Sequence, residues 1–474
     1  MLVFVLVYLK TLGPCWGREL LPILASVIYG YLTDSLLVWT GLLTFEQPTA
    51  PIGPSPLWMI SLWFGFGATY NSSMNWLQRD YRISALVGCL IGPLAYKGGI
   101  ALGLLHVGDS PLLTYAVISL QWAVALSLLP AIAQASFNLK WNREVVLRRG
   151  FCVSQFSLIW LIFTIGMPAI LVVAGLIDIF RFTTRRTPAT AWRFVATFYT
   201  YLSAEIIGLM ILTGTWIVAR GNEEKIFRDA TRTQTLWATS LFYALRKIFG
   251  LGLEVEGLEE STPGPIVVLI RHTSVLDTIL APAVITYPDN VFLRFVVKRE
   301  LLWDPCLDVA GNRTKNHFVD RSSRDRAKEI ERLKILGQDL TPREGVIIFP
   351  EGTRFTPNRQ ARALKKIKES MPELHDRASN LKHLLPPRPT GTLALLDLST
   401  DVLVVGHHGF DALTTWAQLW RGDLVGRTIR VHMWRISHQD IPKGSKERID
   451  WLYDQWQRMD EWVDRIPANS AKAE

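Results

Sequence analysis

Ile266-Val267-Val268-Leu269-Ile270-Arg271-His272-Thr273-Ser274-Val275-Leu276-Asp277 reads as an apolar strand running straight into a polar turn. Short β-branched runs of this kind suit strands covered on both faces. Similar runs stand at 346–349, 402–405 and 428–433, while 324–337 and 360–368 read as charged amphipathic helices. That alternation predicts an α/β domain whose mixed sheet is flanked by helices. Working residues are then expected where strands end and helices begin.

His272 follows the first strand directly, and Asp277 stands five positions later. A carboxylate that reaches one imidazole nitrogen fixes the tautomer and leaves the other nitrogen free to take a proton. Taken alone this pair is commonplace. A second constellation, Phe349-Pro350-Glu351-Gly352-Thr353-Arg354, closes another strand. Gly352 lets backbone approach a ligand, Arg354 offers a planar fork for phosphate, and Glu351 is placed to hold that guanidinium or another basic group. A third, Phe318-Val319-Asp320-Arg321, brings Arg321 as a further phosphate contact, with Ser322 or Ser323 capping the helix that follows. Lys298, at the end of another apolar run, adds positive charge to the same pocket.

Composition divides the 474 residues in two. The chain is 49% hydrophobic with 18 tryptophans, and its mean hydropathy is +0.19. Most of the charge lies beyond residue 220, and long apolar stretches fill the part before it. A net charge of +9 suits anionic headgroups or phosphorylated substrates. There is no compact basic stripe with interleaved aromatics, so a nucleic-acid partner is not expected. The four cysteines are scattered without C-x-x-C spacing, which argues against a disulfide framework or a zinc site.

A membrane crossing takes about 20 mostly apolar residues. Candidate spans are 20–45, 57–70, 83–105, 112–135, 153–180 and 192–219, the second of them short. Asp34, Lys97, Asp178 and Glu205 interrupt them, each readable as part of a pathway or as a packing contact, with Lys97 also able to snorkel. Basic residues at 79–82, 140–149 and 220–247 mark one side as cytoplasmic. Arg181, Arg185, Arg186 and Arg193 then fall on the wrong side unless Gly166 and Pro168 break 153–180 into a re-entrant hairpin. The stretch 235–250 reads either as an interfacial helix or as an ordinary core helix. The expected organisation is a multi-span membrane domain over 1–135, further spans and an interfacial linker over 136–250, and a catalytic domain over 251–474.

In order, His272 with Asp277, Lys298 to Leu301, Phe318 to Arg321 and Phe349 to Arg354 resemble the sequence blocks of the glycerolipid acyltransferases. Within that family the resemblance is to the 1-acylglycerol-3-phosphate acyltransferases and related lysophospholipid acyltransferases. Leu384-Leu385-Pro386-Pro387-Arg388-Pro389 is similar to a fourth block, with Thr390 where a basic residue often stands. Arg271 departs from the asparagine that often precedes the histidine. Residues 30–133 resemble a family of uncharacterised bacterial inner-membrane proteins, through Asp34-Ser35-Leu36-Leu37, Asn71, Trp76-Leu77 and Gly92-Pro93-Leu94-Ala95-Tyr96.

The resemblance implies a direct acyl transfer. His272 acts as base and Asp277 orients it; Lys298, Arg321, Glu351, Gly352, Thr353 and Arg354 bind the acceptor. No cofactor or metal is implied, and the donor is acyl-CoA or acyl carrier protein. The implied partners are membrane lipids and a lysophospholipid acceptor. The expected location is a bacterial inner membrane, with the acyltransferase domain facing the cytoplasm. A lipid transporter or scaffold is the competing reading for the membrane half. A serine hydrolase built on Ser274 is a weaker rival, because no G-x-S-x-G elbow is present.

Overall fold

The computed structural model describes residues 16–46, 54–137, 142–319, 326–413 and 416–467. Two compact units emerge, one made of residues up to 147 with 213–226, the other of 148–212 with 227–474. The stretch 136–250 is therefore shared between them.

The first unit contains helices α1 (Trp16–Trp39), α2 (Leu57–Thr69), α3 (Tyr81–Ala101) and α4 (Pro111–Phe137). Strands β1 (Leu43–Phe45) and β2 (Leu105–Val107) pair antiparallel at its end. Its centre is the buried carboxylate of Asp34. Trp63 of α2 donates to one oxygen at 2.9 Å, while Gln121 of α4, at 3.0 Å, and the Tyr96 hydroxyl of α3 donate to the other. Asp34 thus fastens four helices, as a packing contact does. Close approach is part of the same design: a Cβ at Gly88 would stand 2.1 Å from the Trp122 carbonyl oxygen, so α3 and α4 meet backbone to side chain and backbone alike.

Long apolar helices continue with α5 (Arg143–Arg185) and α6 (Ala191–Ala219). Five helices among the described residues are long and apolar enough to cross a membrane, and the 13-residue α2 is too short to be one of them. The expected break in 153–180 does not occur. α5 runs unbroken for 43 residues through Gly166 and Pro168, because a proline inside an apolar helix frees few backbone groups and is tolerated there. Near its start, Arg148 and Arg149 pair with Asp308 at 2.9 and 3.1 Å. Near its end, Asp178 accepts the N–H groups of Thr190, Ala191 and Trp192, capping α6. Glu205 of α6 likewise accepts the Cys306 N–H at 2.9 Å. These intramembrane-type acids are therefore helix fasteners, and Lys97 is exposed.

Helix α7 (Glu223–Phe249) leads into a seven-stranded sheet in the order β3-β9-β8-β4-β7-β5-β6. The strands are β3 (Gly252–Glu256), β4 (Ile266–Ile270), β5 (Phe292–Lys298), β6 (His317–Val319), β7 (Glu344–Ile348), β8 (Asp401–His408) and β9 (Thr428–Ile436). β8, β4, β7, β5 and β6 run parallel, while β9 is antiparallel to β8 and parallel to β3. The mixed sheet expected from the alternation of strands and helices is present. β8 outlasts the apolar run of 402–405, because Gly406, His407 and His408 stay paired to β9.

Side-chain alternation along β4 divides the core into two layers. Ile266, Val268 and Ile270 pack with Ala238, Leu241, Phe242, Leu245 and Phe249 of α7. The 235–250 stretch is therefore a core helix, and its apolar face is not free to lie on a membrane. Val267 and Leu269 face the other way, toward Trp451, Leu452, Trp456 and Met459 of the C-terminal helix Ser445–Asp464. Every residue of β4 is buried, as a central strand covered on both faces must be.

Trp456 is fully buried and Ile165 on α5 is 73% exposed. Trp456→Ala should destabilise the second unit by about 3–5 kcal/mol, and Ile165→Ala by less than about 0.5 kcal/mol in detergent. Thermal unfolding of the detergent-solubilised protein measures both.

Candidate active site

Because five neighbouring strands run parallel, their carboxyl ends share one edge of the sheet. β4 delivers His272 to that edge, β7 delivers 349–354, β5 delivers Lys298 and β8 delivers His407. An open α/β sheet binds ligands at this edge.

After β4 the chain turns through residues 271–276, and a short helix, α8 (Asp277–Ala281), begins at the carboxylate itself. The Asp277 side chain is fully buried, and one of its oxygens lies 3.0 Å from His272 Nδ1. The same oxygen accepts the N–H groups of Thr273 at 2.6 Å and Ser274 at 2.8 Å. An acceptor already serving two N–H donors takes a third from the ring, so Nδ1 carries the hydrogen and Nε2 keeps its lone pair. The Phe349 ring packs against the imidazole at 4.5 Å between centroids. His272 keeps 15% of its side chain exposed.

His272 is fixed through its backbone as well. Its N–H donates to Glu351 Oε1 at 2.8 Å, and its carbonyl accepts the Phe355 N–H at 3.0 Å. Glu351 is 1% exposed, and its second oxygen accepts the Leu385 N–H at 3.1 Å. Glu351, expected to hold the Arg354 guanidinium or another basic group, gives its oxygens to two loop N–H groups, and the cation whose charge acts on it is Arg271; in a buried site an unmet donor is costly.

Gly352 has φ of +68° and turns the chain toward solvent, a conformation that L side chains rarely adopt. A Cβ there would lie 3.1–3.3 Å from the Arg388 side chain. Arg388 donates its own N–H to the Pro350 carbonyl at 2.8 Å. Arg388 of the fourth block thus lies over Gly352, while Thr390 is exposed in the next helix, Pro389–Leu396. Thr353 and Arg354 are half-buried beyond the glycine. Lys298 is exposed at the end of β5. Arg321, with Asp320, Ser322 and Ser323, lies outside the described residues.

Arg271 is 1% exposed. Its guanidinium donates to the His407 carbonyl at 2.6 Å, the His383 carbonyl at 2.9 Å and Asp411 at 2.8 Å. It thus ties the ends of β4 and β8 to the segment that carries Arg388. Burial alone would raise the Asp411 carboxyl, but Arg271 and the two neighbouring histidines outweigh it and hold it at about 2. His407 and Asp411 escaped the sequence reading; the only signal for them was a polar His-His-Gly-Phe-Asp run closing an apolar strand.

Ser274 is buried, and its hydroxyl accepts the Leu276 N–H at 3.2 Å. Among the described residues no hydrogen bond joins it to His272. The geometry therefore provides a histidine with a held tautomer, and not a serine–histidine pair.

These features coincide with an acyltransferase family model, which matches residues 252–380. Among curated proteins, the 1-acyl-sn-glycerol-3-phosphate acyltransferase of Pseudomonas aeruginosa is 32% identical over 120 residues, covering 25% of this chain and 44% of the relative. The chain thus spans less than half the length of that relative. The crystal structure of the 1-acyl-sn-glycerophosphate (LPA) acyltransferase PlsC from Thermotoga maritima aligns with a TM-score of 0.39 at 17% identity, covering 58% of this chain and 100% of that one. Residues 1–128 match a family described as a protein of unknown function (DUF2878), which accords with the resemblance of residues 30–133 to uncharacterised membrane proteins.

Burial pushes the Glu351 carboxyl up to about 8, against the pull of the His272 N–H, the Arg271 guanidinium and the Leu385 N–H. An unfolded glutamate titrates near 4.5, so between about 4.5 and about 8 the folded chain keeps a proton that the unfolded chain releases. Stability should therefore fall as pH rises through that window and level off above it. Glu351→Gln should flatten the fall, measured as thermal midpoints across the same pH range.

Proposed function

We propose that this protein is a membrane-bound acyltransferase. It moves a fatty acyl group from a thioester donor, acyl-CoA or acyl carrier protein, to the free hydroxyl of a lysophospholipid. The acceptor we favour is 1-acylglycerol-3-phosphate, and the product is phosphatidic acid. The carrying observation is the contact of His272 Nδ1 with Asp277 at 3.0 Å, which leaves Nε2 as the base.

In this reading Nε2 takes the proton of the acceptor hydroxyl as its oxygen attacks the thioester carbonyl carbon. The new C–O bond forms, the C–S bond breaks, and the sulfur leaves with the proton returned by the imidazolium. Asp277 stabilises that imidazolium without itself becoming protonated. Base assistance of this kind contributes about 10²–10⁴-fold. Holding two bound substrates in line supplies much of the rest.

Arg354, Arg388, Lys298 and Arg321 are the cations assigned to the acceptor's phosphate, and Gly352 leaves room for it. Thr353 is assigned to the same loop contact. Guanidinium forks recognise phosphate in two-point fashion, which a lone ammonium does not. The long apolar helices support a lipid setting. A bacterial inner membrane, with this domain on the cytoplasmic side, is the location we assign from the basic loops.

His272→Ala should lower kcat by at least roughly 10³-fold while membrane insertion is unchanged. Retained turnover would remove the general base from the scheme. Arg354→Ala should raise KM for the phosphate-bearing acceptor roughly tenfold or more and leave the donor KM nearly unchanged; acceptor and donor titrations on the purified variant distinguish the two. Trapping an acyl group covalently on Ser274 would favour the hydrolase reading.

A further inference from the structure

His407 closes the apolar run of β8, is completely enclosed, and has no task in the acyl-transfer scheme. Its Nε2 lies 3.0 Å from the carbonyl oxygen of Arg271 and 3.5 Å from Asp277 Oδ1. A carbonyl can only accept, so Nε2 carries the hydrogen. The ring is then the neutral Nε2–H tautomer. Its Nδ1 is buried with no hydrogen-bond partner, and Phe410 packs edge-on against the ring at 5.9 Å. Burial depresses the basicity of this imidazole, which accords with a neutral ring, although Asp277 pulls the other way.

The two oxygens of Asp277 are used unequally. Oδ2 receives His272 Nδ1–H and the N–H groups of Thr273 and Ser274. Oδ1 makes no hydrogen bond and faces the N–H of His407. At 3.5 Å that contact is electrostatic and not a formed hydrogen bond, yet in a dry site a dipole aimed at a carboxylate still opposes its rotation. Arg271 completes the frame. It donates a guanidinium N–H to the His407 carbonyl and its backbone N–H to Val405, while its own carbonyl receives the His407 ring.

We infer that His407 is a positioning residue for the base. Its single N–H fixes the peptide carbonyl that precedes His272 and restrains the free oxygen of Asp277, so the carboxylate stays turned toward His272 Nδ1. His407 touches neither the acceptor nor the donor, and it acts only through Asp277 and the Arg271 peptide. The inference rests on the acyl-transfer reading.

Two near-isosteres separate this role from simple core filling. The glutamine amide nitrogen falls close to the place of Nε2, whereas the asparagine amide nitrogen falls short of it. Steady-state kinetics on the full-length protein, with 1-acylglycerol-3-phosphate and an acyl thioester, give the readout. His407→Asn should lower kcat roughly ten- to hundredfold, with both KM values within about twofold of the parent. His407→Gln should recover most of that loss. In an Asp277→Asn background the His407→Asn change should cost clearly less, because one of its two routes to the base, the carboxylate, is already cut and only the Arg271 peptide remains.

Equal damage from asparagine and glutamine would overturn the inference, as would a loss that persists undiminished in the Asp277→Asn background. A kcat loss that merely tracks a fall in Tm across the variants would assign His407 to packing. If the unaltered protein transfers no acyl group, the proposed function fails. If it is active and His407→Asn matches it, only the positioning role fails.

Discussion

One buried carboxyl group holds the site together. Glu351 takes the N–H of His272 on one oxygen and the N–H of Leu385 on the other. It thereby joins the turn after β4, the turn after β7 and the segment that leads to Arg388. Three pieces of chain far apart in sequence meet on one buried side chain. Removing it would leave two buried N–H groups unanswered, at about 1–3 kcal/mol each. The positions of His272 and of the segment that carries Arg388 both depend on this junction.

The rest of the fold serves that junction. A central strand buried on both faces cannot slip in register without exposing one whole face, so β4 sets where His272 stands. Parallel pairing then brings β5, β7 and β8 to the same edge with their own polar residues. Arg271 locks β8 to β4 from behind through the His407 carbonyl. α7 covers one face of the sheet, and α5 and α6, with their largely exposed apolar surfaces, belong in part to the same unit. Those two helices therefore place a long apolar surface in the same unit as the sheet.

Much of this was legible in residues 266–277. A β-branched run followed at once by Arg-His and, five positions on, by Asp pointed to both a strand end and a histidine–aspartate contact. The sheet's mixed character and the helices flanking it followed from alternation. What escaped depended on long-range contacts. Nothing local tells that Glu351 bonds two backbone N–H groups and not a guanidinium, since both are ordinary partners for a carboxylate. Arg388 comes to lie over Gly352 only through folding, since 36 positions separate the two in the sequence. The continuity of α5 was hidden for a similar reason. Gly166 and Pro168 break helices in water, where freed backbone groups find solvent, but not in a long apolar helix. For 235–250 periodicity alone could not decide between a membrane and a core, because both bury the same apolar stripe.

The central claim is acyl transfer to an acceptor that carries a phosphate, and the most direct test compares two acceptors on the purified protein. With a common acyl thioester, kcat/KM is measured for 1-acylglycerol-3-phosphate and for the corresponding monoacylglycerol, which differ only in the phosphate. The account predicts phosphatidic acid formation with a preference of at least roughly 10²-fold for the phosphorylated acceptor, the scale of two charge-assisted contacts. Equal rates on the two acceptors, or release of free fatty acid without ester formation, would contradict it.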